Sequence, residues 1–460
     1  MTETARPRVL VIGGGLSGAA VAHALLARAD KPLLVTVVGR SPLGEGAAYG
    51  SPHPLHLLNV RSRGMSLIDG DDAHFVRWLS SRDGADADPD GFVPRRVYAD
   101  YVRDTLAAAK GSAREGVHLE RVSGSAVGLE LLAEGVRAQL EGGDAPTADR
   151  AVLALGHPPP NHPVAGNLPI YDSPSYVRDP WSAGALAGLD LDATLLVIGT
   201  NLTMFDLAMA LDARGHRGVI HAISRHGLLS LAHGPAPTPG IPWNGTDPPR
   251  SARAALRALR RQAKVEPVAW RGVVDWIRAQ TPALWSSWPD AERRRFLRHA
   301  RPYWDVHRHR AAPEIHDRID RMRADGRLRV DAARLTSLEL RGDGVVATIA
   351  PRGGRATVAL AVTRVINATG PSVDYRSWED PLVRVLFDRG WIRPGPLGSG
   401  LDATTEGAIL DRNGRASTTL STLGPTLRGS LWETTAVPEI RAQAARLATR
   451  ILAGLESPRA

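Results

Sequence analysis

The chain of 460 residues contains no cysteine. This absence excludes disulfide bridges, thiolate metal sites and every enzyme that works through a redox-active cysteine pair. Lysine is nearly as scarce, because only Lys31, Lys110 and Lys264 are present, so the net charge of +9 comes almost entirely from arginines spread along the chain. A spread of this kind is typical of a solvated surface, and we predict no nucleic-acid partner.

Long apolar runs are also missing. No run approaches the ~20 residues that a membrane span needs, and the amino terminus enters a core strand within about ten residues, so we expect no membrane association and a cytoplasmic location. A Walker lysine motif and a G-x-S-x-G elbow are absent, which leaves NTPase and serine-hydrolase functions without support. With 43% apolar and 23% charged residues, the composition indicates a soluble globular protein. The length predicts two or three domains of roughly 150 residues each.

The amino-terminal stretch "RVLVIGGGLSGAAVAHALLAR", residues 8–28, has the pattern of a dinucleotide-binding site. Four aliphatic residues, 9–12, indicate a strand buried on both faces, and an Ala/Leu-rich helix follows the glycines. Gly13 permits a tight turn, Gly15 lets the backbone approach a pyrophosphate, and Gly18 lets the helix pack closely on the strand. The strand, turn and helix setting therefore predicts a nucleotide site.

Residues 193–227, "ATLLVIGTNLTMFDLAMALDARGHRGVIHAISRHG", repeat this plan. In order, the pattern predicts a strand from Leu195 to Ile198, a turn at Gly199, a helix to about Ala213, and a strand ending at Ser224 and Arg225. Asn201 occupies the place of the second glycine. Because asparagine tolerates left-handed backbone but still carries a side chain, we expect the turn to persist with a less close approach to phosphate.

Two distant stretches, 117–160 and 328–375, resemble each other as strand-rich modules that end in a small residue followed by glycine. Paired modules that return to a nucleotide-binding unit predict the fold class: α/β, with two interleaved dinucleotide-binding (Rossmann-like) domains and a helical insertion. The predicted division is 1–160 for the first part of the first dinucleotide-binding domain, 161–234 for the first part of the second, 235–325 for the insertion, 326–360 for returning strands of the second domain, and 361–460 for the second part of the first domain.

The predicted insertion differs from its surroundings in composition. Its Pro/Gly-rich start, "GPAPTPGIPWNGTDPP", indicates a loop, and six of the eleven tryptophans lie between residues 235 and 325. The stretch "SARAALRALRRQAKV" predicts an amphipathic helix whose apolar face comprises Ala252, Ala255, Leu256, Leu259 and Ala263. We expect this insertion to pack over the nucleotide-binding domains. A second amphipathic helix is predicted near the carboxyl end, through Ile451.

The motifs together resemble a known family: the bacterial FAD/NAD(P)-binding proteins that include flavin-dependent urate hydroxylases and L-aspartate N-monooxygenases. The matching stretches run from residue 9 to about 450 and are "VIGGGLSG", "AAYGSPHPLHLLNVRSRGMS", "VIGTNLTMFD", "ISRHGLL", "RPYWDVHRHRAAPE" and "LGPTLRGSLWETTAVPEIRAQA". The resemblance implies FAD in the first domain, NADPH or NADH in the second, and oxygen chemistry on a small molecule.

The resemblance also implies the residues that contact the cofactors. The turns at Ala154–Gly156 and Ala368–Gly370 would close the two domains, and Tyr49, Asn59, Met65 and Ser66 would lie on the segment running toward the flavin. The full predicted cofactor set is Gly13, Gly15, Ser17, Gly18, Gly39, Arg40, Tyr49, Asn59, Met65, Ser66, Gly156, Gly199, Asn201, Thr203, Ser224, Arg225, Gly370 and Gly424.

Gly39 departs from the family pattern, because related proteins typically carry a glutamate there for the adenosine ribose. Its loss would remove one or two charge-assisted hydrogen bonds, about 1.5 to 3 kcal/mol each. Alternatively, the missing carboxylate together with Arg40 suits a 2′-phosphate, because repulsion is gone and a guanidinium is available. Two interpretations follow: FAD bound without its acidic ribose ligand, or NADP in its place.

The stretch "YWDVHRHR" contains polar residues that could serve a substrate. Asp305, His307 and His309 would share one face of a strand, as a metal site needs, but would fan out on a helix. The flanking residues indicate a helix start, and we predict no metal. His307, Arg308 and Arg310 are instead candidate substrate residues, with an arginine for an anionic group and a histidine for protons; a polar network tying the insertion to the domains is the alternative.

Two functional hypotheses follow. The first is an FAD-dependent, NAD(P)H-using oxidoreductase, a monooxygenase that hydroxylates a small polar or anionic substrate with molecular oxygen. The second is a degenerate, non-catalytic NADP-binding sensor or interaction protein that has lost the flavin. Gly39 and Asn201 are the observations behind the second hypothesis.

Overall fold

The structure is a computed structural model that describes residues 6–182, 184–234, 249–265 and 270–456. Most of the predicted Pro/Gly-rich loop, residues 235–248 with Trp243, lies outside the described residues. No helix in the described part of the chain combines the length and the apolar character needed to cross a membrane.

The described residues form α-helices and strands that are numbered here in chain order. The helices are α1 Leu16–Arg28, α2 Gly46–Tyr49, α3 His74–Asp83, α4 Arg95–Gly111, α5 Leu202–Ala213, α6 Ala252–Val265, α7 Trp270–Ser287, α8 Asp290–Arg295, α9 Arg301–Arg308, α10 Pro313–Ala324, α11 Pro381–Asp388, α12 Arg428–Leu431 and α13 Val437–Glu456. The strands are β1 Arg8–Ile12, β2 Leu33–Gly39, β3 Val117–Ser123, β4 Ala126–Leu131, β5 Val136–Leu140, β6 Thr147–Ala148, β7 Arg150–Leu153, β8 Tyr176–Val177, β9 Leu195–Ile198, β10 Ile220–Ser224, β11 Leu328–Arg341, β12 Gly344–Pro351, β13 Val358–Val362, β14 Arg364–Asn367, β15 Ala408–Leu410 and β16 Ala416–Thr422.

The first sheet is built around β1. Its strand order is β15-β16-β7-β1-β2-β3, and all neighbours are parallel except β15 and β16. The four aliphatic residues of β1 are buried, as predicted, because helices cover both faces of a parallel sheet. α1 and α13 pack together on this unit and share its apolar core. The predicted carboxyl-terminal helix is present and extends past Ile451 to Glu456.

The second sheet repeats this arrangement around β9. Its order is β13-β12-β11-β10-β9-β14-β8, with β9 parallel to both β10 and β14. The strand predicted at 195–198, the helix ending at Ala213 and the strand ending at Ser224 all have the predicted bounds. The two sheets confirm the predicted α/β class with two interleaved Rossmann-like units.

The resemblance between 117–160 and 328–375 has a structural basis. In the first unit β3 lies beside β2, the chain makes an antiparallel excursion through β4, β5 and β6, and β7 returns beside β1. In the second unit β11 lies beside β10, the excursion runs through β12 and β13, and β14 returns beside β9. The second unit therefore extends to Asn367, past residue 360, where its returning strands were predicted to end. The other domain boundaries stay predictions.

The predicted insertion forms helices α6 to α10. Residues 296–300 make a π-helical turn between α8 and α9, and the stretch "YWDVHRHR" lies on α9 and its carboxyl end. The last helix, α10, packs Ile315, Ile319 and Met322 into the core of the second unit. It therefore forms the crossover from β10 to β11, and α6 to α9 are the added part.

A buried ion pair joins the two units. Arg95, at the start of α4, donates to the Asp206 carboxylate in α5 at 2.7 Å, and both side chains are at most 14% exposed. The Arg95 guanidinium also lies 5.1 Å from the ring centre of Trp181. Burial raises the pKa of Asp206 to about 6, although Arg95 opposes this shift. Removing one member of such a pair would leave the other charge buried without a partner.

The raised pKa of Asp206 predicts a pH dependence of stability. Between the unfolded value near 4 and the folded value of about 6, the native state binds a proton that the unfolded chain does not. The free energy of unfolding should therefore rise as the pH falls from 7 to 5, by about 1 kcal/mol from this group. Urea unfolding at both pH values should show this increment in the wild type but not in Asp206→Asn. Equal increments in the two proteins would contradict the assignment.

Candidate functional site

The first glycine turn is closed by a contact that only glycine permits. The Gly13 amide donates to the carbonyl of Val38 at 2.8 Å, and the Ala154 amide donates to the carbonyl of Ile12 at 2.8 Å. Gly13 has φ +116°, and a Cβ there would overlap the carbonyl oxygen of Ala154. The turn after β1 is thereby fixed against the turn after β7, so the predicted pair of turns meets.

The second turn has the same frame. The Gly199 amide donates to Ile223 and the Ala368 amide to Ile198, each at 2.8 Å. Gly199 has φ +121°, and a Cβ there would overlap the Ala368 carbonyl oxygen. The two units therefore build the same arrangement of glycine turn and returning strand. In this arrangement Ser224, which follows Ile223, occupies the place of Gly39, which follows Val38.

The amino end of α1 is a cradle without side chains. Gly15 is its extended N-cap, and no described side chain caps it. A Cβ on Gly15 would meet only the Cα of Gly46, at 3.7 Å, among the atoms of the chain within 4 Å, and a Cβ on Gly424 would come within 2.5 Å of the Ser17 hydroxyl oxygen. The free N–H groups and dipole of a helix start favour an anion. The residues present therefore fit a diphosphate.

Gly18 has the packing role that the motif predicts. It lies in the first turn of α1, where a Cβ would overlap the carbonyl oxygen of Gly13. This close approach holds the helix start against the turn. The loop after β2 is also fixed to this turn, because the Gly44 amide donates a hydrogen bond to the Gly14 carbonyl oxygen at 2.8 Å.

Gly39 differs from a position that has merely lost its glutamate. A Cβ there would lie 2.8 Å from the Gly14 nitrogen and 3.0 Å from the Gly14 Cα. Contacts this short with backbone cannot be relieved by a side-chain rotation. The end of β2 therefore packs directly on the glycine turn, and the space for a carboxylate side chain is closed.

Basic groups surround this strand end instead. Arg40 is exposed, and Arg121 of β3 donates to the Ser41 carbonyl at 3.2 Å. Glu45, in the following loop, is paired with Arg103 at 2.9 Å. The local charge thus suits a phosphate, or an adenosine bound without an acidic partner.

The segment predicted to run toward the flavin is mostly anchored in protein. Met65 and Ser66 are fully buried, Met65 in the apolar core and Ser66 in hydrogen bonds with the backbone of Ile68 and Asp71. Tyr49 is half-buried and its ring lies 4.7 Å from that of Tyr98. Asn59 accepts a hydrogen bond from the His233 ring at its backbone oxygen. Their contact with a cofactor stays a prediction.

Asn201 does not need the left-handed backbone that its sequence position suggested. It is the extended N-cap of α5, with φ −93° and ψ −163°, which resembles the backbone of Gly15. The positive φ of the turn falls on Gly199. Asn201 caps the helix with its backbone only, so its amide side chain is available to a ligand, beside Thr203 in the first helical turn. The turn has survived the substitution, as expected.

The end of β10 brings hydroxyl and basic side chains together. The Ser224 hydroxyl accepts from Thr200 at 2.9 Å and from the Gly227 amide at 3.0 Å. Arg225 is exposed. Across the strand end, Arg352 contacts the His226 ring at 2.9 Å, and burial, Arg352 and Arg225 lower the pKa of His226.

The closing turns present open glycine backbone. Gly156 and Gly370 have φ +73° and +83°, and a Cβ on either would meet no described atom within 4 Å. The Tyr375 hydroxyl donates to the Gly156 carbonyl. Gly424 is held by Gln443, whose side-chain oxygen accepts from its amide at 2.8 Å. Gly156 and Gly424 are therefore positioned by hydrogen bonds as well as by packing.

The three candidate substrate residues do not converge. His307 lines a cavity of the insertion, where its ring lies 5.1 Å from Trp270. Arg308 is buried and pairs with Glu433 at 3.3 Å, and Arg310 is buried and pairs with Asp275. Both arginines therefore already have a carboxylate, which favours the alternative of a polar network. Arg310 follows the end of α9, and its guanidinium lies 5.9 Å from the ring centre of Trp270, the same ring that His307 approaches.

Glu433 is a site residue that the sequence reasoning missed. It is buried, and the indole of Trp304 donates to it at 3.1 Å. Burial raises the pKa of this carboxyl, but the Arg308 and Arg278 guanidinium groups and the Trp304 hydrogen bond outweigh burial and hold it below the usual value. Burial and Arg308 lower the pKa of His309 to about 3, so the ring is neutral. The sequence feature that could have identified Glu433 is the acidic residue of "SLWETT", which lies within one of the stretches that carry the family resemblance.

No metal site is evident in the described ranges. Asp305 and His309 are four residues apart and share a side of α9, whereas His307 lies on another side. No group of three or more potential ligands among the described residues could hold an ion.

Comparison with known proteins agrees with this geometry. Residues 10–158, roughly the first third of the chain, match the FAD-NAD(P)-binding family model. This segment contains the turn of Gly13 and the closing turn of Gly156. No curated protein matches the chain.

Solved structures share the fold over nearly the whole chain. An ornithine N-hydroxylase from Kutzneria sp. 744 matches with a TM-score of 0.65 and 14% identity, covering 96% of this chain and 98% of that chain. An ornithine hydroxylase from Pseudomonas aeruginosa matches at 0.65 and 15%, covering 98% and 100%. A cadaverine monooxygenase from Erwinia amylovora, solved with FAD, matches at 0.63 and 13%, covering 96% and 94%. At these identities the likeness establishes the fold alone.

The closed space at Gly39 predicts how the position responds to substitution. Gly39→Ala should lower the free energy of unfolding by roughly 1 to 3 kcal/mol, because its Cβ must displace the backbone of Gly14. Gly39→Glu should not tighten FAD binding. The matched control is Gly111→Ala at the end of α4, where a Cβ meets no atom within 4 Å. Tighter FAD binding by Gly39→Glu, measured by fluorescence titration, would show that the space is open.

Proposed function

We propose that the chain is an FAD-dependent, NADPH-using oxidoreductase, a monooxygenase that inserts an oxygen atom from O₂ into a small organic substrate. The observation that carries the proposal is the doubled turn: Gly13 against Ala154 and Gly199 against Ala368, each at the start of a helix. An enzyme that uses both a flavin and a nicotinamide nucleotide requires two dinucleotide-binding sites, and these two turns have the same geometry. The N-hydroxylating enzymes that share the fold support this function.

In this proposal FAD occupies the first site. Its diphosphate would lie at the amino end of α1, beside Gly15 and Gly424, where no side chain blocks it. The bound flavin would supply hydride acceptance and oxygen activation. The chain contributes position and exclusion of water, and the open backbone at Gly156 and Gly370 permits close approach of a planar ring system. Arg428 adds a positive charge near this region. Burial lowers the pKa of His157, and the Arg428 guanidinium lowers it further.

NADPH rather than NADH suits the second site. A dinucleotide fold selects NADH with a carboxylate on the ribose diol and NADPH with arginine at the 2′-phosphate. Here the strand end offers Ser224 and Arg225, with Arg352 across from them. The charge of the site is therefore complementary to the extra phosphate.

A second candidate function rests on Gly39. Because the ribose side of the first site has no carboxylate and no room for one, a chain that has abandoned FAD and binds only NADP would have the same strand end. Such a protein would act as a sensor or an interaction partner rather than as an enzyme.

The visible spectrum of the purified full-length protein distinguishes the two functions. We expect a flavin spectrum, as isolated or after addition of FAD, that NADPH bleaches and air restores. Bleaching under anaerobic conditions isolates the hydride step from the oxygen step. A protein that stays colourless at micromolar FAD while binding NADPH would favour the sensor function.

Substitution of Arg225 tests the assigned nicotinamide preference. Arg225→Ala should raise the KM for NADPH by roughly ten- to a hundredfold, the cost of one or two charge-assisted contacts, and leave the KM for NADH unchanged. Arg352→Ala should have the same selectivity. Arg329→Ala on the neighbouring strand β11 is the matched control. Equal effects on both coenzymes would contradict the placement of the 2′-phosphate.

A further inference from the structure

The insertion encloses a large cavity that the proposed chemistry has not used. Its volume is about 560 Å³, within the range of small-molecule pockets. Helices α6, α7 and α9 and the π-helical turn provide the wall, and five tryptophans line it: Trp270, Trp285, Trp288, Trp304 and Trp432.

The apolar face predicted for α6 forms one wall. Ala252, Ala255, Leu256, Leu259 and Ala263 all line the cavity. The sequence predicted this face but not what it contacts; only the insertion as a whole was expected to pack over the nucleotide-binding domains. In the structure this face is turned toward the tryptophans of α7, and part of it borders open volume.

The charges of the lining are one-sided. Among the described residues that line the cavity there is no aspartate or glutamate, and Arg260 is the only one with a permanent charge, accompanied by His299 and His307. Among these described lining residues an ammonium group would meet no carboxylate and would face the positive charge of Arg260, which is unfavourable. A neutral ring system, or one with a single anionic group near Arg260, meets no such cost.

Trp432 links this cavity to the proposed flavin region. It has φ +61°, which is strained for a bulky residue, and the strain directs its ring onto Trp285 at 4.9 Å. The Arg428 guanidinium lies 4.8 Å from the same ring, on the segment that follows Gly424. Glu433, the next residue, holds Trp304 of the opposite wall. One short segment therefore borders both the glycine cradle and the cavity.

We propose that this cavity binds the apolar, aromatic body of the substrate, neutral or with one anionic group directed to Arg260. The inference rests on the proposed function and names its substrate class. It separates this chain from the ornithine and cadaverine enzymes that share its fold, since those compounds carry ammonium groups. Of the expected small polar or anionic substrate, it keeps the anionic group and adds an apolar, aromatic body.

The test measures ligand binding by calorimetry on the full-length protein. The probe is 2-naphthoate, which has an apolar bicyclic body and one carboxylate, and the contrasting probe is cadaverine. We expect 2-naphthoate to bind at micromolar concentration and cadaverine not to bind. Ala263→Phe, which fills the half-buried end of the α6 wall, should weaken 2-naphthoate at least about tenfold, or about 1.4 kcal/mol.

The control is Ala254→Phe, an equal change at an exposed position of the same helix that does not line the cavity. It should leave the affinity for 2-naphthoate within about twofold, since its ring enters solvent. Leu256→Asp serves as a second variant, because it places a carboxylate in the wall: it should abolish binding of 2-naphthoate and permit binding of cadaverine. Unfolding midpoints confirm that each variant is folded.

Three results would overturn the proposal: no binding of 2-naphthoate, equal weakening by Ala263→Phe and Ala254→Phe, or competition by cadaverine. Sedimentation adds a fourth, because a dimer that Ala263→Phe dissociates would identify the cavity as an interface between copies. Bleaching of bound FAD by NADPH is recorded in the same samples. If 2-naphthoate binds in a protein that takes no flavin, the apolar site stands and the monooxygenase function falls.

Discussion

The architecture depends on two positions where backbone meets backbone because a Cβ is absent. At Gly13 and Gly199 the chain turns with positive φ directly beneath the carbonyl of an alanine that ends a returning strand. This contact sets the distance between the helix start and the closing turn, and thus the shape of each nucleotide site. In each unit the strand order, the crossover and the antiparallel excursion bring the returning strand, β7 or β14, back beside the first strand, β1 or β9. The two units share this requirement although their excursions differ in length.

The sequence predicted the structure well where a residue type can serve only one structural role. The glycine turns, the buried aliphatic strands and the helix of the second unit were predicted with nearly correct bounds, because local sterics and burial on both faces determine them. The echo between 117–160 and 328–375 was predictive because strand modules must return to pair. Contacts between residues that are distant in the sequence were harder to predict. That β2 presses on Gly14, or that Glu433 meets Arg308, depends on tertiary distances that no spacing encodes.

Charge patterns were the least reliable guide to the site. The stretch "YWDVHRHR" suggested three residues facing one ligand, but a helix distributes them, so that Arg308 and Arg310 neutralise carboxylates while His307 faces an apolar cavity. The α6 face shows the converse case. Its apolar residues were identified correctly, but periodicity does not reveal whether such a face meets protein or a ligand.

The tight packing at Gly39 has a consequence for any attempt to place a carboxylate at this strand end. If the position had free space, one substitution would supply the carboxylate. Here the strand end lies so close to the backbone of Gly14 that a longer side chain would have to be accompanied by a shift of the glycine turn itself. A carboxylate at this position therefore requires coordinated changes in two segments of the chain, the end of β2 and the turn after β1.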